Sequence, residues 1–562
     1  MLNVLGRWRI PLAGVFTSLA VSLICNVSIA EDHDDDSPQF NLKKIKHVVV
    51  IYQENWSFDG LYSQFPGANG FTAGAPVVQV KKDGTPLTVL PPANGTDALK
   101  IPSNRPVTFF NLQQFLQPTD LTSDLVHRFY TEQLQINGGT MNKFVAWSDD
   151  GALVTSFFDA SNLPEGKLAQ EYTMCDNCFH SSFGGSFLNH QWLVAAQSPI
   201  WNSLTPPPAS MISNPDSTSP SYKDGNLTPL INGNYYAINT SFSVNAPHPA
   251  TANPATLIPN LDNDTIGERL NDKGISWAWF SGGWNNALAG TPDPLFQYHH
   301  QPFIYYRKYA DGTALKAEHL KDETDFFTSL QNHTLPAVSF IKPLGPDNEH
   351  PGYASLQQGQ QHVADIVEAV KNSPYWKHTA IIVTYDENGG RWDHVAPPVK
   401  DSWGPGTRVP LIVISPLAKK HFVDHTSYET LSILRLIEER WKLKPLSDRD
   451  ARANDLRNAF KISDQELLRK DLFDLKEDEA ELRRAEADLA RDVVDLEADR
   501  LTYLIDQWFH RNANVLHRDQ EQIAKDLADI AEDRKEIAEI EADIKQDRQE
   551  LAEVLKDIHD HH

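Results

Sequence analysis

Short, continuous runs of apolar residues recur through most of the chain, at residues 47–52, 275–280, 335–341, 379–385 and 409–414. Unbroken rather than alternating hydrophobicity predicts strands covered on both faces. Helical periodicity lies between them, at residues 361–371 and 428–441, so the pattern predicts an open, mostly parallel α/β sheet flanked by helices. Residues 198–259 are dense in Pro, Asn, Ser and Thr and show little periodicity, which reads as long surface loops.

The pattern changes near residue 462. Gly, Pro and Trp nearly vanish, and Leu468, Leu475, Leu482, Leu489, Leu496 and Tyr503 recur every seven residues. So do Leu516, Ile523, Ile530, Ile537, Ile544, Leu551 and Ile558. The phase breaks across residues 510–514, which predicts a coiled-coil hairpin of two long helices. Its apolar stripe is narrow, so each helix needs the other, or another subunit, to be stable. A spacer or assembly role follows, with homo-oligomerisation as one outcome. The terminal His559, His561 and His562 read as a frayed, exposed end. The domain reading is a signal peptide at 1–30, an acidic leader at 31–42, a catalytic domain at 43–461 and a charged helical tail at 462–562.

The signal peptide is read from Arg7 and Arg9, the apolar stretch that follows, and Ser28-Ile29-Ala30 as a cleavage site. An uncleaved anchor is the alternative. The expected product is periplasmic or secreted, without stable membrane insertion after cleavage. The whole chain of 562 residues has 50 basic and 75 acidic side chains and a formal charge of -25, which argues against nucleic acid as a partner. Only three cysteines occur, so a four-cysteine zinc site is excluded. Cys175 and Cys178 read as structural, either a local disulfide or buried thiols.

Candidate chemistry gathers at the strand ends. The run at 47–52 leads into Glu54 and Asn55, and that at 379–385 into Asp386 and Glu387. In open α/β sheets ligands sit beyond the carboxyl ends of the strands, so these four residues can converge. An all-oxygen set of crowded carboxylates suits one divalent cation, of a kind the sequence does not specify. Gly184-Gly185-Ser186 precedes a helical segment, where free backbone N–H groups favour phosphate; a serine there is a nucleophile or simply an N-cap. His127, His299, His300, His350 and His394 supply imidazoles for proton transfer to a leaving alkoxide, or are structural.

Taken in order, residues 53–59 (QENWSFD), 184–192 (GGSFLNHQW), 265–270 (TIGERL) and 384–395 (TYDENGGRWDHV) resemble the phosphoesterase family of bacterial acid phosphatases and phospholipases C, related in fold to alkaline phosphatases. The likeness covers residues 43–456 and leaves out the helical tail. It implies Ser186 as nucleophile and Glu54, Asn55, Ser186, Asp386 and Glu387 as metal ligands. It further implies His299, His300 and His350 as catalytic groups, with His127, Asn189, His190 and His394 binding substrate. Many phospholipases C of the family carry Thr-His-Pro-Asn-Arg where this chain has Ser186-Phe187-Leu188-Asn189-His190, which is similar to the acid-phosphatase branch. Trp56 stands where members often have arginine. The expectation is therefore an exported, metal-dependent acid phosphatase acting on phosphomonoesters through a phosphoserine. The alternatives are a phospholipase C-type phosphodiesterase and a non-enzymatic envelope assembly protein.

Overall fold

The computed structural model describes residues 40–95, 97–229, 233–462 and 464–560. The signal peptide, most of the acidic leader, and His561 and His562 lie outside the described residues.

An eight-stranded sheet organises the chain, built from β1 (His47–Gln53), β2 (Thr173–Cys175), β3 (Trp277–Ser281), β4 (Leu320–Asp322), β5 (Val338–Lys342), β6 (Thr379–Tyr385), β7 (Leu411–Ile414) and β8 (Phe422–Asp424). Their order is β8-β2-β7-β6-β1-β5-β3-β4. Only β7 runs against the other strands. The central strands are buried along nearly their whole length, as continuous apolar runs require when helices cover both faces. Helices α1 (Ser186–Ala195), α2 (Leu356–Lys371) and α3 (Leu431–Trp441) pack into the same hydrophobic core.

Register positions the site. Gln53 of β1 pairs with Tyr385 of β6, so Glu54 and Asp386 leave the sheet side by side. On the other flank Ile51 pairs with Ile341, which brings Lys342 to the same edge. β2, β4 and β8 were not evident from the sequence: each is three residues long, too short for a periodic signal. The expected helix at 428–441 starts later, because Tyr428–Glu429 forms a short strand pair with Cys178–Phe179.

The tail is a helical hairpin, α4 (Asp464–Trp508) and α5 (Ala513–Asp560). Ala485, Ile540 and Ile544 form a small core of their own, with Leu475, Leu482 and Ile537 packed against it. Cys175 and Cys178 are buried free thiols, so the disulfide alternative is not what the structure shows. Burial pushes both thiols up, away from the reactive thiolate. Among the described residues, no helix is long and apolar enough to cross a membrane.

Candidate active site

Glu54 is the hub of the strand-end cluster. Its Oε2 accepts a hydrogen bond from Ser186 Oγ at 3.0 Å, and its Oε1 lies 2.9 Å from His300 Nε2 and close to Lys342 Nζ. Burial alone would raise this carboxyl, but His300 and Lys342 outweigh burial and hold it well below the usual carboxylate range. Asp386 and Glu387 behave oppositely. Burial, and then the Glu54 charge, push both well above that range. Asn55 has φ 70°, and a side chain on Gly389 would meet the Asn55 carbonyl oxygen at 2.4 Å, so a glycine is required opposite this left-handed turn.

These groups fit a divalent cation. Asn55 Oδ1, Asp386 Oδ2 and Glu387 Oε1 are buried and make no hydrogen bond among the described residues, a costly state for oxygens that carry or share negative charge. Glu54, His190 and His300 also form a group whose donor atoms lie within 4.8 Å of one another. Imidazoles thus stand beside the oxygen set read from the sequence. Asp124, His127 and His350 form a second such group, and Asp59, Asp393 and His394 a third. The third already holds a cation of its own: Arg408 Nε donates to Asp393 at 2.9 Å and Nη2 to Asp59 at 3.1 Å.

Ser186 sits where a helix begins. Gly185 is the N-cap of α1, with no side-chain cap bond, and Ser186 is the first helical residue. The serine hydroxyl therefore does not cap the helix; it is turned to Glu54 instead. Gly184 has φ 87°, and a Cβ there would meet Phe129 N at 2.6 Å; one on Gly185 would meet the His127 carbonyl at 2.9 Å. The two glycines let the serine loop press against the segment that carries His127. Glu132 holds this loop through Gly184 N at 2.6 Å.

Ser186, His127, His299 and His350 line one cavity of about 410 Å³, with Asp124 and Arg128 at its wall. His127 Nε2 lies 3.6 Å from Glu387 Oε1. His300 is stacked on His190 with ring centroids 5.2 Å apart and planes 1° from parallel, and His190 Nδ1 donates to the Ser186 carbonyl at 2.8 Å. Burial opposes the protonated form of these imidazoles: His190 and His299 are held well below the ordinary value, His350 is lowered, and His300 is pushed down to about 4.

Three residues expected to bind substrate make other contacts in the structure. Asn189 is saturated by backbone: its Oδ1 accepts from Ser182 N, and its Nδ2 donates to the carbonyls of Ser182, Gly184 and Gly185. It shapes the serine loop. His190 is fully buried behind Ser186 and does not line the cavity. His394 belongs to the ion cluster of Arg408, where its Nδ1 donates to Asp59 at 2.7 Å.

Sequence reading missed Lys342, a fully buried lysine at the edge of β5 whose only signal was its place directly after an apolar run. It also missed Glu349, which accepts from Gln53 Nε2 at 2.9 Å and from Tyr385 Oη at 2.7 Å. Trp56 Nε1 donates to the Glu349 carbonyl at 3.1 Å, and the Arg391 guanidinium lies 4.0 Å from the Trp56 ring centroid. The tryptophan is a buried support under the loop that carries His350.

The model of the Phosphoesterase family matches residues 45–444. The chain belongs to that family. This phosphoesterase is 25% identical over 499 residues to phospholipase C B of Mycobacterium tuberculosis, covering 80% of this chain and 83% of that protein. It is 26% identical over 437 residues to a non-hemolytic phospholipase C of Burkholderia pseudomallei, covering 71% of this chain and 55% of the relative. Among solved structures, a Vibrio parahaemolyticus protein of the alkaline phosphatase superfamily aligns at 11% identity, covering 51% of this chain and 65% of that one, with a TM-score of 0.27. Membership makes the protein a phosphoric ester hydrolase and sets aside the purely structural alternative.

Proposed function

We propose that the protein is an exported, metal-dependent phosphatase that transfers the phosphoryl group of a phosphomonoester to Ser186 and then to water. The hydroxyl of Ser186 at the start of α1, 3.0 Å from Glu54 and at the floor of the histidine-lined cavity, is the observation that carries this reading. Glu54, Asn55, Asp386 and Glu387, with Ser186 itself, would hold one divalent ion. Such an ion supplies Lewis acidity, which lowers the pKa of an oxygen ligand and neutralises developing charge. Ser186 Oγ attacks phosphorus as its proton passes to a neutral imidazole of His299, His300 or His350; the bond from Oγ to phosphorus forms, the bond to the leaving oxygen breaks, and the imidazolium so formed delivers that proton to the leaving oxygen. Water then attacks the phosphoserine, returning the serine and releasing phosphate. The free N–H groups at the start of α1, together with His127, face the phosphoryl oxygens. We assign this chemistry to residues 43–461 and a spacer or assembly role to 462–562. Export rests on residues 1–30 alone.

The curated relatives favour a second reading, phospholipase C-type cleavage of a phosphodiester. Residues 186–190 favour the monoester. Hydrolysis of p-nitrophenyl phosphate and p-nitrophenyl phosphorylcholine by the full chain, with and without chelator and beside Ser186→Ala, separates the two. Monoester preference, lost with chelator and with Ser186→Ala, is expected. Diester preference moves the assignment to phospholipase C, and turnover untouched by Ser186→Ala overturns the proposal.

A further inference from the structure

The hairpin buries its apolar seam between its two helices as far as Leu496 and Ile530, each 5% exposed. Toward the tip the pattern changes. Tyr503 faces α5, taking a hydrogen bond from Gln520 Nε2 at 3.0 Å. At about 100° per residue, Leu501, Ile505 and Trp508 lie on the opposite side of α4 from Tyr503, with Leu504 between. All four are exposed, Trp508 at 81%, and Phe509 continues the patch into the turn at 69%. A solvated spacer needs no such stripe, and pairing with α5 does not use it.

Charge changes over the same stretch. Residues 500–518 hold Arg500, Arg511 and Arg518 against the single acid Asp506, together with His510 and His517; the acidic stalk resumes at Asp499 and Asp519. The rest of residues 463–562 holds 29 acidic and 12 basic side chains. Arg500 pairs with an exposed Glu497, and Arg511, itself exposed, lies 3.6 Å from a partly buried Asp506, so both guanidinium groups stay open to solvent. An apolar, tryptophan-bearing end, with Arg511 in its turn and Arg500 and Arg518 on the helices behind it, sits on a negatively charged stalk some 65–70 Å long.

We propose that this tip is a docking surface for an anionic lipid surface. Trp508, Phe509 and the leucine-isoleucine face enter the headgroup boundary, where tryptophan is favoured, while Arg500, Arg511 and Arg518 meet the lipid phosphates. The acidic stalk is repelled by the same surface, so contact is confined to the tip and does not become insertion of the hairpin. A second copy of the chain is the weaker candidate, because pairing through these stripes sets the arginines of one tip against those of the other. The inference is independent of which phosphoester the catalytic region takes.

The test is co-sedimentation of the full chain with vesicles of phosphatidylcholine and phosphatidylglycerol, against pure phosphatidylcholine, with mass in solution followed by light scattering. Binding that needs phosphatidylglycerol and falls as salt rises is expected. Trp508→Ala with Phe509→Ala should weaken it roughly tenfold or more. Arg500→Glu, Arg511→Glu and Arg518→Glu together should remove the preference for phosphatidylglycerol, a loss of roughly a hundredfold. Helicity by circular dichroism and turnover of p-nitrophenyl phosphate should be unchanged in both. Leu501→Ser with Ile505→Ser serves as a second probe of the face if the aromatic variant loses helicity. No binding to either vesicle overturns the proposal. So does a mass that falls to the monomer in the Trp508 and Phe509 variant without vesicle binding, which would make the stripe a contact between copies.

Discussion

The end of the sheet and the helical hairpin are both rich in acids, and they handle them in opposite ways. At the sheet end Glu54, Asp386 and Glu387 are fully buried, with oxygens that find no hydrogen-bond partner among the described residues and a lysine drawn against one of them. In the hairpin most acids face water and a thin seam of leucine and isoleucine lies between the helices. Crowded buried charge is unfavourable for folding, so at the strand ends it is held by the surrounding core and is available to a cation and a phosphoryl group. Exposed charge is inexpensive, and it leaves the hairpin free to act through its surface.

The largest effect should come from the catalytic centre. Ser186→Ala is expected to lower turnover of the preferred phosphoester by roughly a thousandfold or more, with an unchanged melting temperature. Asp386→Asn should also abolish turnover, yet leave the melting temperature unchanged or higher in chelator, because it removes a carboxyl whose ionisation burial and Glu54 oppose. A large loss of stability in chelator would mean that this carboxylate is structurally satisfied.

Next is Lys342→Met, which leaves Glu54 buried without its nearest cation. It should cost about 3–5 kcal/mol in denaturant unfolding. A change below about 1 kcal/mol would show that the His300 contact alone satisfies Glu54. In the hairpin, Leu482→Asp should cost about 2–4 kcal/mol of a transition followed by helical circular dichroism, while turnover stays constant. Loss of both signals together would erase the contrast between the two regions.

The smallest effect concerns His394. Burial lowers its pKa, but the hydrogen bond and charge of Asp59 outweigh burial and raise it above the ordinary 6.5. Its contribution to stability is therefore full below that value and is lost as pH rises through the higher folded value. His394→Asn should cost about 1 kcal/mol in acid and less in alkali, with turnover of phosphoester little changed.

Much of the site was legible because its residues follow long apolar runs. Glu54 and Asp386 stand directly beyond β1 and β6, and register alone brings them together. Ser186 was legible through its two glycines, whose lack of side chains the loop requires. Short strands such as β4 were not, since three residues carry no period. Nor was the place of His394, whose partner Asp59 is 335 residues away. Asn189 sits within a motif that names chemistry, yet its amide is consumed by the loop it holds. Lys342 escaped notice because a lysine after a strand usually reaches solvent, and only the fold shows that the Glu54 carboxylate is there to receive it.

The central claim is that Ser186 takes the phosphoryl group. Acid quench of the full chain during turnover of its preferred phosphoester, followed by peptide mass spectrometry, tests it most directly. The account predicts one phosphoryl group on the peptide containing Ser186, absent in Ser186→Ala. Rapid turnover with phosphate on another residue, or with none trapped at any stage, would contradict it.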